Sequence, residues 1–282
     1  MSNSFRVACV QTNSAREVAA NLKVVGPQIE RAAGQGAVLV CLPENVTMIE
    51  PKPHQHLAKA EPEESHAGLA GLREMAARHK IWLLVGSLSV KVGERIANRS
   101  YLLNPDGATI AAYDKVHLFD VDLAGGESYR ESDTIRAGDK AVIAPTPWGR
   151  LGMTICYDLR FPQLYRALAK DGADFIAIPA AFTRTTGRAH WHVLIRARAI
   201  ETGCYVFAPA QCGEHAEGRL TYGHSLIVSP WGEILAEGGE GVGVITADID
   251  PARVAETRRM IPCLRHDRPF SGPSASLRAA GE

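Results

Sequence analysis

Residues 149–162 read GRLGMTICYDLRFP, and the rest of the chain is organised around this stretch. Leu151–Ile155 is a short apolar run of the kind that forms a buried strand. From Phe161 to Lys170 the pattern turns helical, with Pro162 in the first turn, where a missing N–H costs nothing. Cys156 therefore falls at a sharp strand-to-helix turn. Such a turn holds a side chain at the end of a sheet and aims backbone N–H groups at whatever binds there. A thiol that attacks a carbonyl needs both: access, and donors for the oxyanion that forms. A free cysteine is also among the residue types most often buried as a small apolar group, so the turn alone leaves both readings open.

Two stretches outside the turn bear on the choice. Val38–Leu42 is an apolar strand that runs directly into Pro43-Glu44. An acid at the end of such a strand can act as a general base, with a pKa raised by burial. Ile110–Phe119 reads as a second strand and carries Lys115 among apolar neighbours. A lysine there can hold a fixed positive charge against a developing oxyanion. Taken singly, Glu44 and Lys115 are compatible with ordinary strand-end charges.

Taken in order, Glu44 in LPENV, Lys115 in YDKVHLFD and Cys156 in TICYDLRFP resemble the nitrilase, or carbon–nitrogen hydrolase, superfamily. The resemblance covers nearly the whole chain. It continues through FTRTTGRAHWHVLIRARAIETGCYVFAPAQCG (182–213) and TYGHSLIVSPWGEILAE (221–237), blocks similar to the Nit-type amidases. AQCGEH followed by R-x-TYGHS is closer to the deaminated-glutathione amidase branch than to omega-amidase. The resemblance implies an α/β fold, a four-layer α-β-β-α sandwich. It also implies subunits paired as a homodimer or higher oligomer, with the 187–202 helix and the C-terminal arm as contact elements.

Length and composition set further limits. The chain has 282 residues, is 46% hydrophobic and carries a formal net charge of +0 with no basic cluster. Nothing points to nucleic acid or an anionic membrane surface. The N-terminus enters a strand directly, without the profile of a signal peptide, and no apolar run spans a bilayer. The six cysteines are dispersed, several within apolar strands, and form no C-x-x-C. This favours reduced thiols in a cytoplasm over a disulfide framework.

Along the chain, helices are expected over 15–33, 65–80 and 187–202, and a last one begins at Pro251. Strands are expected at 5–12, 37–42, 81–90, 99–104, 109–113, 141–146, 151–155, 174–179, 204–210, 225–229, 233–236 and 243–248. Residues 48–64, rich in Pro, His and acids, read as a surface loop, and 116–140 as irregular. One unit over 1–264 is expected, with 265–282 as an arm or tail. His54 and His56 lack further ligands at metal spacing. His190 and His192 stand two apart and do not share a helix face. The charges Arg196, Arg198 and Glu201 read mainly as a solvated helix surface. No metal or organic cofactor is implied.

The resemblance assigns further roles. A second glutamate, followed by serine, stands after the lysine in Nit-type amidases; Glu131-Ser132 fits this distance, and Glu127-Ser128 is the alternative. The N–H of Tyr157 would join Lys115 in holding the oxyanion. Arg160 stands one turn after Cys156, at a helix start that disfavours a cation, and would grip the carboxylate of a 2-oxo acid, with Phe182 and Thr186 lining the pocket. Lys115 would also lower the pKa of Cys156. No G-x-S-x-G, P-loop, H-E-x-x-H or dinucleotide fingerprint occurs. Omega-amidase or another small-amide hydrolase, a Cys–His hydrolase using His190 or His224, and a non-catalytic binding protein on the same fold remain as alternatives.

Overall fold

The computed structural model describes residues 4–123 and 126–272. The chain begins with β1 (Phe5–Gln11), α1 (Val18–Gly34), β2 (Leu39–Cys41), α2 (Pro53–Lys59), α3 (Ala67–His79), β3 (Trp82–Val92), β4 (Arg95–Leu103) and β5 (Thr109–Asp114). A short ribbon follows, β6 (Asp120–Asp122) and β7 (Ser128–Arg130), then β8 (Val142–Thr146), β9 (Gly149–Met153), α4 (Pro162–Lys170), β10 (Phe175–Ala177), α5 (Arg184–Thr202) and β11 (Tyr205–Ala208). A second ribbon, β12 (Cys212–Glu214) and β13 (Leu220–Tyr222), precedes β14 (Leu226–Val228), β15 (Ile234–Glu237), β16 (Gly243–Ile249) and α6 (Ala252–Met260).

Two six-stranded sheets result, in the orders β16-β1-β2-β3-β4-β5 and β15-β14-β11-β10-β9-β8. Each has three parallel strands at its centre, β1-β2-β3 in one and β9-β10-β11 in the other, and antiparallel strands outside them. The period-two alternation of strands divides the core. Val7 and Cys9 of β1, with Leu39 and Cys41 of β2, join a cluster that includes Met153, Phe175 and Phe207 of the other sheet. Ala8, Val10 and Val40 belong instead to a cluster with Val25 and Ile29 of α1 and Leu69 and Leu72 of α3. On the second sheet, Leu164 and Leu168 of α4 and Trp191 and Ile195 of α5 supply the outer layer. The expected α-β-β-α sandwich is the observed one.

Parallel central strands place their carboxyl ends together, and open α/β sheets bind ligands there. β2 ends three residues before Glu44, β9 three residues before Cys156 and β10 four residues before Ala181. Isolated bridges Thr12↔Gln211 and Ala180↔Ala210 knit these ends. Gly86 of β3 lies against the Leu42–Pro43 turn. A Cβ there would come within 2.0 Å of the Leu42 carbonyl oxygen, so only glycine lets the turn that carries Glu44 pass.

Several expectations change. The 48–64 segment contains α2 and a 3-10 turn, Glu63–Ser65; Pro53 opens α2, and Lys59 at its end reaches Glu50 at 3.0 Å and Glu17 at 2.8 Å. The irregular stretch after Lys115 contains the β6–β7 ribbon and a 3-10 turn, Glu131–Asp133. A 3-10 turn over Cys156–Arg160 separates Cys156 from α4. Lys115 lies just past the end of β5. Of the expected C-terminal arm, 273–282 lies outside the described residues; within the remainder, Asp267 bonds Lys170 at 2.5 Å and Arg166 at 3.1 Å on α4.

Candidate active site

Cys156 occupies the turn at φ +47°, a conformation that a non-glycine residue adopts only when its surroundings impose it. Its N–H donates to the Pro179 carbonyl at 2.9 Å. The main support is Asp158, fully buried. Its two oxygens accept from the N–H of Ile155 at 2.8 Å, the Tyr113 hydroxyl at 2.7 Å and both the N–H and Nδ1 of His117 at 3.0 and 2.7 Å. The next carbonyl along, Leu159, accepts from Arg198 Nε and Nη2 at 3.0 and 2.7 Å. Arg198 is therefore no surface charge. It is 5% exposed, pairs with Glu201 at 2.8 Å and lies over the Tyr165 ring.

Glu44, Lys115 and Glu131 meet beside Cys156. Lys115 Nζ donates to Glu44 Oε1 at 2.9 Å and to Glu131 Oε2 and Oε1 at 2.8 and 3.1 Å. Glu44 Oε2 accepts the Ala181 N–H at 2.8 Å, and the same carboxylate acts on the neighbouring Cys156 thiol. Glu131 also accepts the Phe119 N–H at 2.7 Å. Glu127, the alternative, is exposed and contacts Tyr129 and Thr185, so Glu131 is the acid that meets Lys115. Asn98, which sequence reading passed over, donates from Nδ2 to Glu44 Oε1 at 2.9 Å and to Glu131 Oε1 at 3.1 Å. The signal it offered is a polar side chain within the strand run RIANRSYLL.

The electrostatics differ from both pKa expectations. Burial works to raise the pKa of Glu44, but the Lys115 charge, together with the bonds from Lys115, Cys156 and Ala181, outweighs it and holds the carboxyl below its ordinary value. Burial pushes the Cys156 thiol well up and the Glu44 charge adds to this, while Lys115 opposes without reversing it. The resting pair is thus thiol and carboxylate. Burial also works against the Lys115 charge, yet Glu131 and Glu44 hold the ammonium well above its usual range.

Above the thiol lies a recess of ≈ 20 Å³ lined by Lys115, Phe119, Cys156, Tyr157, Ala181, Phe182, Thr183 and Thr186. The expected Phe182 and Thr186 are both in this wall, Thr186 at the start of α5, where Thr183 caps the helix. Arg160 sits at the edge. Its guanidinium lies 5.2 Å from the Phe182 ring centre and 5.8 Å from Tyr157, and no carboxylate among the described residues pairs with it. The larger cavity between α4 and α6, ≈ 540 Å³, contains none of these groups.

Neither histidine proposed as an alternative base meets Cys156. His190 Nδ1 lies 3.4 Å from Arg160, and His224 bonds Glu237. His192 does not stand with His190. It meets His224 instead, both 2.9 Å from Glu237 Oε1, in a surface group whose ligand-type atoms lie within 4.8 Å of one another.

A thiol, a carboxylate acceptor and a buried ammonium under one small recess form a constellation for acyl transfer. The family model for carbon–nitrogen hydrolases matches residues 6–259. The chain belongs to the carbon–nitrogen hydrolase family. It is 43% identical over 270 residues to a deaminated glutathione amidase of Synechocystis, covering 93% of this chain and 97% of that one. The human deaminated glutathione amidase is 40% identical over 270 residues, 93% and 82% of the two chains. Yeast Nit3, a member of branch 10 of the nitrilase superfamily, superposes with a TM-score of 0.83 at 34% identity, over 92% of this chain and 94% of that one. The protein is a carbon–nitrogen hydrolase acting as an amidase, and among its described residues no helix is long and apolar enough to cross a membrane.

Proposed function

We propose that this carbon–nitrogen hydrolase cleaves deaminated glutathione to 2-oxoglutarate and Cys-Gly through a thioester on Cys156. The observation that carries the chemistry is the Cys156 thiol beside a Glu44 carboxylate that Lys115 and the Ala181 N–H keep ionised. The names of the Synechocystis and human relatives support the substrate.

In the proposed reaction, the substrate's 2-oxo-acid carboxylate lies against Arg160, which has no acid partner among the described residues. The Cys156 sulfur attacks the amide carbon as its proton passes to Glu44. An ammonium has three N–H donors; two of those of Lys115 engage Glu44 and Glu131, and the third, with the Tyr157 N–H, holds the oxyanion. The C–N bond then breaks, and Glu44 returns the proton to the departing amine. A water attacks the thioester, its proton goes to Glu44, and the sulfur leaves and recovers that proton. Glu131 and Asn98 keep Lys115 and Glu44 in place, and Glu131 also positions the substrate amide. The hydrolytic unit spans 1–264, with 265–282 as an arm.

The exposed apolar residues Val193 and Ile200 on α5, and Met260 and Ile261 at the end of α6, support pairing of subunits through these helices. Sedimentation should then show at least a dimer. Six free cysteines fit a reducing, cytoplasmic compartment.

The test is release of 2-oxoglutarate from deaminated glutathione and from 2-oxoglutaramate, side by side, with Cys156→Ala as control. Preference for deaminated glutathione, abolished in the variant, is expected. Preference for 2-oxoglutaramate would make the protein an omega-amidase, and turnover that survives in Cys156→Ala would sink the thioester.

A further inference from the structure

Beside the recess at Cys156 lies a second cavity, of ≈ 320 Å³. Phe119 lines both. Glu131, His56, Tyr129 and Arg219 also face the second one. Arg219 stands where the turn between β12 and β13 ends. Its Nη2 lies 3.4 Å from the carbonyl of Ala181, the residue whose N–H holds Glu44. Its guanidinium lies 5.6 Å from the Tyr129 ring centre.

The bonding of Arg219 is incomplete. Nε is buried without a partner, and no carboxylate among the described residues pairs with the guanidinium. Three nearby acids already have cations of their own. Glu50 is held by Arg16 at 2.6 Å and Lys59 at 3.0 Å, Glu217 by Lys52 at 3.0 Å and Arg16 at 3.4 Å, and Glu131 by Lys115. His56 shares the cavity wall and bonds Ser89 at 2.6 Å, so it supplies no negative charge. A buried donor without an acceptor costs stability. A guanidinium over an aromatic face, with hydrogen-bonding capacity left over, suits a carboxylate that arrives from outside.

We propose that this cavity receives the leaving amine and that Arg219 binds the terminal carboxylate of a dipeptide-sized leaving group. The inference rests on the amidase reading given above and deepens it. Deaminated glutathione carries a carboxylate at each end, with the scissile amide between them. Arg160 and Arg219 are two arginines without acids among the described residues, one at the edge of the recess over Cys156 and one in the cavity that shares its Phe119 wall. Two extended residues span roughly 7 Å, the distance over which a Cys-Gly leaving group carries its carboxylate away from the scissile amide. Omega-amide substrates release ammonia and leave Arg219 idle.

Three substrates test this on the full-length enzyme: deaminated glutathione, the same molecule with its glycine carboxylate converted to a carboxamide, and 2-oxoglutaramate. With wild type, kcat/KM should fall ~10- to 100-fold on amidating the glycine, the range for losing a charged hydrogen-bonded pair. In Arg219→Met the ratio of kcat/KM for deaminated glutathione to that for 2-oxoglutaramate should fall by a similar factor, and amidation should then cost nothing more. Wild type that turns over deaminated glutathione and ignores amidation would overturn the subsite alone, and this arm needs no variant to fold. An equal loss on deaminated glutathione and 2-oxoglutaramate in Arg219→Met would overturn it too. Wild type inert on deaminated glutathione would remove the substrate reading and the subsite with it.

Discussion

Replacing Lys115 with methionine removes the cation that two buried carboxylates share. The side chain of Lys115 is 2% exposed, and those of Glu44 and Glu131 are 3% and 17% exposed. At hydrogen-bond distance each ion pair is worth ~5 kcal/mol at an effective dielectric of ~20, before desolvation is subtracted. Breaking a buried pair by deleting one partner costs ~3–5 kcal/mol net, because the partner's charge stays buried. Against a typical total of ~5–15 kcal/mol, the variant should fold at neutral pH but be much weakened.

The pH dependence separates this from simple loss of packing. In wild type the folded pKa of Glu44 is lowered, so its stabilising contribution is complete above the unfolded carboxylate value and is lost only as pH falls through the lower folded value. In Lys115→Met, burial acts on Glu44 without the opposing charge, and its folded pKa should rise above the unfolded value. The folded variant then binds a proton more tightly than the unfolded chain, so its stability should climb as pH falls from 7 toward 5. Contributions common to both proteins cancel in the difference. Urea denaturation followed by tryptophan fluorescence at several pH values between 5 and 8 measures that difference. It should be ~3–5 kcal/mol at pH 8 and narrow toward pH 5. A gap below ~1 kcal/mol, or one that does not change with pH, would refute the charge argument.

Glu131→Gln should cost at least ~100-fold in turnover by loosening Lys115, whereas Glu127→Gln should stay within about twofold; equal effects in steady-state assays would contradict the choice between them. Asp158→Ala leaves three N–H groups and the Tyr113 hydroxyl without their acceptor at a fully buried site, so it should destabilise by ~3 kcal/mol or more and slow alkylation of Cys156 by displacing the turn; both are read by denaturation and by iodoacetamide labelling. His215 donates from Nδ1 to the Ser14 carbonyl and accepts at Nε2 from Thr221, and burial lowers its pKa to about 4. Because the folded state favours the neutral ring, stability is full above pH ~6.5 and should fall, by up to ~3 kcal/mol, as pH drops toward 4; in His215→Gln that decline should be smaller by the same amount.

What the sequence made legible follows from how local each signal is. The run LGMTI before Cys156, and VLVCLP before Glu44, announce strand ends because apolar length and proline act on neighbouring residues. The order of Glu44, Lys115 and Cys156 carries the family resemblance, and the structure brings the three together. The sequence assigns Asn98 and Asp158 no role, and Arg198 reads there as a solvated charge, because their importance depends on what lies across the fold. Asp158 sits two residues after Cys156 but meets His117 and Tyr113 from the other sheet's end. Arg198 looks like any helix cation until Leu159 is seen against it. The pKa expectations failed for the same reason. Burial alone would raise Glu44, and Lys115 alone would lower Cys156; the net sign depends on how three charges are arranged around one thiol.

That arrangement also bears on why the proposed chemistry needs no change in buried charge. At rest Glu44 and Glu131 are negative, Lys115 is positive and Cys156 is neutral, a sum of −1. When the proton moves from sulfur to Glu44, the negative charge moves to sulfur and the sum is unchanged. Attack moves it again, to the oxyanion beside Lys115, and expulsion of the amine with the Glu44 proton restores the carboxylate. Creating a charge in a buried site is expensive, and relocating one within hydrogen-bond reach of a fixed ammonium is much less so. A thiol with a raised pKa is then no handicap: it keeps the negative charge on Glu44 until an amide carbon is in place to receive the sulfur. An enzyme built this way should react with carbonyl substrates that fill the recess far faster, relative to small alkylating agents, than one that stores a ready-made thiolate.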